Sequence, residues 1–356
     1  MGSAIADLFR PEPGTSYLDS ATYGLPPQPT VDAMSEALTR WQAGTARWIE
    51  DWDVEADRAR EAFGDLVGVV PSDVALIPAA SVGVGVVAAS LTGEDRVVVP
   101  DDEFASLLFP LLVAEERSGT VVDAVPFEFL LDRIDDGTTL VATSLVQMQT
   151  GRVAPLAEIV ERAHQVGARV LLDATHGLPF VETGAVLDQV DYVVCAAYKH
   201  LLCPRGVAFL VVRREHHERL AAWNANWRST PDPYGRFFGG PLDLAPGAAA
   251  FDVSVAWLPW VGAAVSLRLL QEWSEQGRLD DPRSRAADLA SGLGVAWHGS
   301  SIVCVPVSDI EHVKRVASSS GLRVGFRGGA VRLSTHVYTT DDDVERAVGV
   351  IRPFTG

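Results

Sequence analysis

Ala168-Arg169-Val170-Leu171-Leu172-Asp173-Ala174-Thr175-His176 reads as a buried strand ending on an acid, and Asp191-Tyr192-Val193-Val194-Cys195-Ala196-Ala197-Tyr198-Lys199-His200 as a second strand ending on a lysine. Apolar runs of this kind suit a parallel sheet covered on both faces. In such a sheet the crevice opens at the carboxyl ends of the strands, so Asp173 and Lys199 are expected to meet there. A lone Asp after a strand is ordinarily a turn or a cap, and a lone Lys is ordinarily solvated. The pairing, at two strand ends, is what points to chemistry.

An acid and a lysine at one sheet edge suit pyridoxal phosphate (PLP). That cofactor needs an amine for its Schiff base and an acid beside its pyridine nitrogen, whose positive charge makes the ring an electron sink. An apolar pocket and a neighbouring cation would lower the lysine pKa in the direction such chemistry requires. Further upstream, Val74-Ala75-Leu76-Ile77 reads as a strand, followed by Pro78-Ala79-Ala80-Ser81-Val82-Gly83-Val84-Gly85 and a small-residue helix to Leu91. A helix start after such a turn presents backbone N–H groups to an anion, so Ala80, Ser81 and Val82 are expected at the PLP phosphate. The same small residues would also let the helix pack closely on the sheet.

Outward from this centre, strand and helix signals alternate. Strands are expected at 96–99, 121–125 and 140–144, with helices at 30–41, 53–67, from Phe104, and at 155–166, which argues for parallel crossover units between helical layers. Trp41, Trp48 and Trp52 are expected to pack a helix pair, a substrate-facing aromatic wall being the alternative. Arg205-Gly206-Val207-Ala208-Phe209-Leu210-Val211-Val212 should return beside the strand before it. Residues 222–251 form a long Trp-, Gly- and Pro-rich connection, a kind of segment that more often has a function than not, with a reach to a neighbouring subunit's site and a plain surface linker as the two readings. Beyond it come helices at 257–273, 283–293 and 310–319 and strands at 301–305, 322–326 and 330–334. The expected fold is α/β: a large domain over 17–252 with a mostly parallel sheet between helices, and a smaller α+β domain from 1–16 and 253–356.

A formal net charge of -18, with no dense basic run, argues against nucleic-acid binding. Cys195, Cys203 and Cys304 lack a metal-site spacing and read as reduced thiols, and no metal is expected. No apolar run reaches a membrane span and residues 1–8 lack the pattern of a secretory signal, so a soluble, cytoplasmic protein is expected.

With these residues placed, the chain resembles the fold type I PLP-dependent enzymes, and within them the class V aminotransferase group. The resemblance runs from Tyr17-Leu18-Asp19 and Gly24-Leu25-Pro26-Pro27 to Arg332-Leu333-Ser334 and Tyr338-Thr339-Thr340. That group includes cysteine desulfurase-like, isopenicillin N epimerase-like, kynureninase-like and hercynylcysteine sulfoxide lyase-like proteins. The resemblance implies a catalytic set of Lys199 as the Schiff-base lysine, Asp173 at the pyridine nitrogen and His176 near the ring oxygen. It also implies Tyr198 at the phosphate and Phe104 as the ring stacked on PLP, where many relatives carry histidine. Gln147, with Gln149 as its rival, falls where an amide lies near the ring oxygen. Arg332 is expected to hold the substrate's α-carboxylate, which a planar guanidinium suits; Arg327 is a second anion contact or a turn residue. A homodimer is implied, with the site at the subunit boundary and Gly240, beside Gly239, approaching the partner subunit's phosphate.

Residues 324–330 lack the nucleophilic cysteine that cysteine desulfurases carry before the arginine strand, which disfavours persulfide transfer on the enzyme. The expected activity is therefore a PLP-dependent lyase that cleaves at the β-carbon of an amino acid or amino-acid conjugate, including at carbon–sulfur bonds. An aminotransferase or epimerase on the same scaffold, and a PLP-fold protein that binds without turnover, are the alternatives.

Overall fold

Apolar strands buried on both faces stack into the centre of the molecule. The structure is a computed structural model in which residues 3–355 are described. The chain runs α1 (Ser3–Ala6), β1 (Ser16–Tyr17), α2 (Gln28–Ala43), α3 (Val54–Val67), β2 (Val74–Ile77), α4 (Ala80–Ala88), β3 (Arg96–Pro100) and α5 (Ala105–Ser118). Then come β4 (Val121–Val125), α6 (Leu130–Arg133), β5 (Leu140–Ser144), α7 (Leu156–Gln165), β6 (Arg169–Asp173), β7 (Tyr192–Ala196) and β8 (Ala208–Val212). The remainder is α8 (Trp257–Glu275), α9 (Asp281–Leu293), β9 (Ile302–Pro306), α10 (Ile310–Ser319), β10 (Leu322–Arg323), β11 (Gly325–Arg327), β12 (Ala330–Ser334) and α11 (Asp341–Ile351).

The central sheet has seven strands in the order β2-β8-β7-β6-β5-β3-β4. β4, β3, β5, β6 and β7 are parallel, as the alternation predicts. Alternate residues of β6 enter opposite cores: Val170 and Leu172 one, Leu171 the other. Burying each such side chain stabilises the fold by roughly 1.5–3 kcal/mol. Only β8 is reversed, antiparallel to both of its neighbours. A short return over residues 197–207 leaves no room for a helical crossover, so the chain doubles back.

This register gathers the site. Ser144 pairs with Asp173 and Asp173 with Val194, while Ile77 and Ala196 both pair with Ala208. The last residues of β2, β5, β6 and β7 therefore share one edge. α4 follows β2 and lies close on the sheet: a Cβ on Gly83 would come within 2.8 Å of Ile77 Cδ1 and Val194 Cγ1.

In the C-terminal part, β11-β12-β9 form a three-stranded antiparallel sheet. β1 pairs in parallel with β10, and Asp19 bridges to Ser334, which carries Asp19 and Thr22 to the side of Arg332. The expected strand over 322–326 is interrupted at Val324, because β10 and β11 take different partners. Helix α8 packs against α2 and α3 on the large core.

The aromatic grouping differs from expectation at one residue. Trp48 stacks on Trp257 at 5.1 Å and Trp52 lies 5.6 Å from it, whereas Trp41 is 61% exposed on the outer face of α2. The long connection is tied down by Asp53, which is fully buried. Its carboxylate accepts from Tyr234 Oη at 2.9 Å and Trp257 Nε1 at 3.1 Å and pairs with Arg228. A buried acid with three donors holds the irregular segment where no regular hydrogen-bond ladder exists.

Candidate active site

Lys199 lies three residues past β7 and is 6% exposed. Its Nζ is 2.8 Å from His176 Nε2 and stands 5.4 Å from the centre of the Phe104 ring. Burial pushes its pKa down to about 8, against the opposing pull of Asp173 and with help from Arg332 and Arg205. Asp173 ends β6 and is equally buried, its Oδ1 accepting from the Thr175 N–H at 2.9 Å. Burial pushes its pKa up, with Thr175 and Lys199 opposing. Among the described residues no ion pair reaches either side chain. Burial likewise drives His176 well below the ordinary histidine range, so the imidazole is neutral, and its buried Nδ1 has no partner.

These three residues surround a cavity of about 160 Å³, which Ala80, Ser81, Phe104 and Tyr198 also line. Ala79 is extended and turns the chain into α4, whose first residues face the cavity. Val82 is not on the lining, and its N–H is spent on Ala79 O at 3.0 Å. Gln147 is also off the lining, with both ends of its amide committed. Its Nε2 donates to Asp102 Oδ2 at 2.9 Å, and its Oε1 accepts from the N–H groups of Gln149 and Thr150, each at 2.8 Å. Gln149 is exposed, and Gly240 is exposed on the long connection, away from the cavity of its own chain.

Arg332 sits on β12 with 1% exposure, its Nη2 donating to Thr22 Oγ1 at 2.7 Å and Asp19 Oδ1 at 3.3 Å. Its Nε is buried without a partner. It does not line the cavity, yet it is near enough to lower the pKa values of Lys199 and His176. Arg327 is exposed and donates to the Phe326 carbonyl at 2.8 Å.

The donor set fits PLP. An acid and an amine that enter no ion pair among the described residues, and an imidazole nitrogen without a partner, line one cavity, and a helix N-terminus opens onto it. Asp173 would take the protonated pyridine nitrogen, Lys199 the aldehyde carbon, His176 the ring hydroxyl and the start of α4 the phosphate.

Several residues here escaped the sequence reading. Glu103 is buried behind the cavity, accepting from Ser144 N at 2.6 Å, Ser144 Oγ at 2.7 Å and Phe104 N at 3.2 Å. It thereby ties the end of β5 to the start of α5, and burial pushes its pKa up. Thr175 Oγ1 accepts from Ala196 N at 2.9 Å, locking the end of β6 to β7. Its spacing from Asp173 is the signal that was available. Arg205 also lines the cavity, and its place just after the Lys199 loop was the clue.

The family described as Aminotransferase class-V matches residues 16–227. A probable cysteine desulfurase of Methanothermobacter thermautotrophicus is 30% identical, with 92% of each chain covered. The uncharacterized aminotransferase YcbU of Bacillus subtilis is 26% identical, with 83% of each covered. Among solved structures, the cystine C-S lyase C-DES in complex with its reaction product, cysteine persulfide, superposes with a TM-score of 0.86 at 19% identity, covering 96% of this chain and 98% of its own. A mutant of C-DES has been solved with glycine covalently linked to its PLP cofactor. With the match spanning the whole central sheet and both Asp173 and Lys199, this chain belongs to the aminotransferase class-V family and is a PLP-dependent enzyme.

Proposed function

We propose that the enzyme is a lyase that cleaves the β-carbon–sulfur bond of an amino acid or amino-acid conjugate. The observation that carries this reading is Lys199 Nζ, buried with its pKa lowered to about 8, lining one cavity with the buried acid Asp173. The C-S lyase and desulfurase relatives support the leaving atom.

PLP bound there supplies an electron sink for the substrate's α-carbon. Arg332, braced by Thr22 and Asp19, binds the α-carboxylate through donors that include its free Nε. Neutral Lys199 Nζ removes the α-proton, and sulfur departs with the bonding electron pair. Asp173 would hold the protonated ring nitrogen, its negative charge maintaining that sink. Phe104 has no atom that can carry a proton, so proton handling stays with Lys199 Nζ and the His176 nitrogen 2.8 Å from it. No cysteine occurs in 324–330; Cys195 and Cys203 are buried with raised pKa values, and Cys304 lies on β9. The sulfur product, a thiolate from a thioether or a persulfide from a disulfide such as cystine, would then leave directly, with no sulfur transferred to a loop thiol.

The test is to incubate the PLP-loaded enzyme with cystine, S-alkylcysteines and cysteine-conjugate sulfoxides. One equivalent each of keto acid and ammonia per sulfur product, over many turnovers, is expected. A keto acid that appears only with an added acceptor, without ammonia, would make the enzyme an aminotransferase. The same reading includes a cytoplasmic homodimer. Exposed Phe109 and Val113 of α5 line a groove that shares Ser81 and Ser106 with the cofactor cavity, which supports a subunit boundary there. Sedimentation should give twice the chain mass.

A further inference from the structure

Beside the cofactor cavity lies a larger cleft of about 530 Å³, within the usual size for a small-molecule site. Tyr198 and Arg205 line both spaces. The cleft is walled by apolar groups, among them Val31 and Met34 of α2, Tyr23 and Pro204. Its wall is fixed to the catalytic loop, because the Gly24 N–H donates to Tyr198 O at 3.0 Å. A Cβ at Gly24 would lie 2.2 Å from Lys199 O, so this strip sits flush against the backbone that carries the lysine.

Arg205 is the one charged residue lining the cleft. Its guanidinium rests 5.1 Å from the Tyr198 ring centre. Among the described residues no carboxylate pairs with it and no hydrogen bond uses its N–H groups. Acids outnumber bases 47 to 29 in this chain, so an arginine without an acid beside a cavity is the exception to its charge balance. Arg332, by contrast, is braced by Asp19 and Thr22. An apolar cleft that shares Tyr198 and Arg205 with the cavity of the reacting lysine, and carries a single free guanidinium, suits a long apolar chain ending in an anion.

We propose that Arg205 receives a distal carboxylate or sulfonate, so that the preferred substrates are ω-acidic amino acids or conjugates larger than cysteine. This substrate class rests on the reading of Lys199 and Arg332 as the reacting end of the site. Arg205 is exposed, so the expected gain is about tenfold in affinity, the low end for a hydrogen-bonded charge pair.

The test is calorimetric titration of the PLP-loaded enzyme with a ladder of straight-chain dicarboxylates and with monocarboxylates of matching length. One dicarboxylate length should bind about tenfold more tightly than its monocarboxylate. Arg205→Gln should remove that gain, Arg205→Lys should restore part of it, and PLP retention should be unchanged in both. Equal affinities along the ladder, or equal weakening of both ligand series by Arg205→Gln, would overturn the proposal. PLP loss in Arg205→Gln would overturn it too, by giving Arg205 to the cofactor phosphate. Because the readout is binding, failure of the lyase assay with the dicarboxylate gain intact sinks only the lyase reading, and the reverse pattern sinks only the role of Arg205.

Discussion

Lys199→Ala protein mixed with PLP is expected to show no visible band from a lysine-bound cofactor and to turn over about 10²–10⁴-fold more slowly than the native enzyme. One nitrogen carries two duties, holding the cofactor and removing the α-proton, and no neighbour can take them over. Phe104 and Tyr198 offer rings to the amine, and His176 is a neutral imidazole held far below its ordinary pKa by burial. The chain contains one other lysine, Lys314, which is paired on the surface with Glu311 at 2.6 Å. Borohydride reduction of the native holoenzyme followed by peptide mapping should therefore mark Lys199 and leave Lys314 free. Label on Lys314, or a band that survives Lys199→Ala, would remove Lys199 from the mechanism.

The pH dependence follows from burial. A lysine with a pKa of about 8 is roughly one-tenth neutral at pH 7, whereas an ordinary lysine is neutral in fewer than about one in a thousand molecules. Only the neutral amine attacks the aldehyde. The rate at which apoenzyme gains the visible band should rise about tenfold per pH unit up to pH 8 and level off above it. A rate still climbing steeply toward pH 10 would show that the amine is not desolvated.

Asp173 and Lys199 were legible in the sequence for a physical reason. Strands covered on both faces are almost wholly apolar, so an ionisable group at the end of such a run stands out. The return of β8 beside β7 was legible from the short connection between them, but its antiparallel pairing with β2 was not, because an apolar run such as Ala208–Val212 names no partners. Glu103 was hidden for a related reason. Its burial depends on Ser144, 41 residues away, which meets it only after β3 and β5 have paired. Trp41 misled because spacing along α2 says nothing about which face α8 covers. Arg205 lay in plain view beside the lysine loop, but whether an arginine has a partner is a fact of three dimensions.

Asp173→Asn is expected to slow turnover by about 10²–10³-fold, the range seen when one group that stabilises transition-state charge is removed. The substitution keeps the side chain's shape and the acceptor for the Thr175 N–H while deleting the negative charge. It should separate catalysis from stability. In the apoenzyme Asp173 is a buried carboxylate without an ion-pair partner, and burial raises its pKa. In the pH range between its ordinary and raised pKa the native state binds more protons than the unfolded state, so this group makes the apoenzyme lose stability as pH rises. An asparagine has no proton to lose. Apo Asp173→Asn should therefore melt at or above the native temperature at neutral pH and lack that part of the decline. Adding PLP should stabilise the native chain more than the variant, since only the native chain offers a counter-charge to the protonated ring. An apo variant that is markedly less stable, yet keeps most of its activity when loaded, would make Asp173 a structural acid and leave the ring nitrogen without its partner.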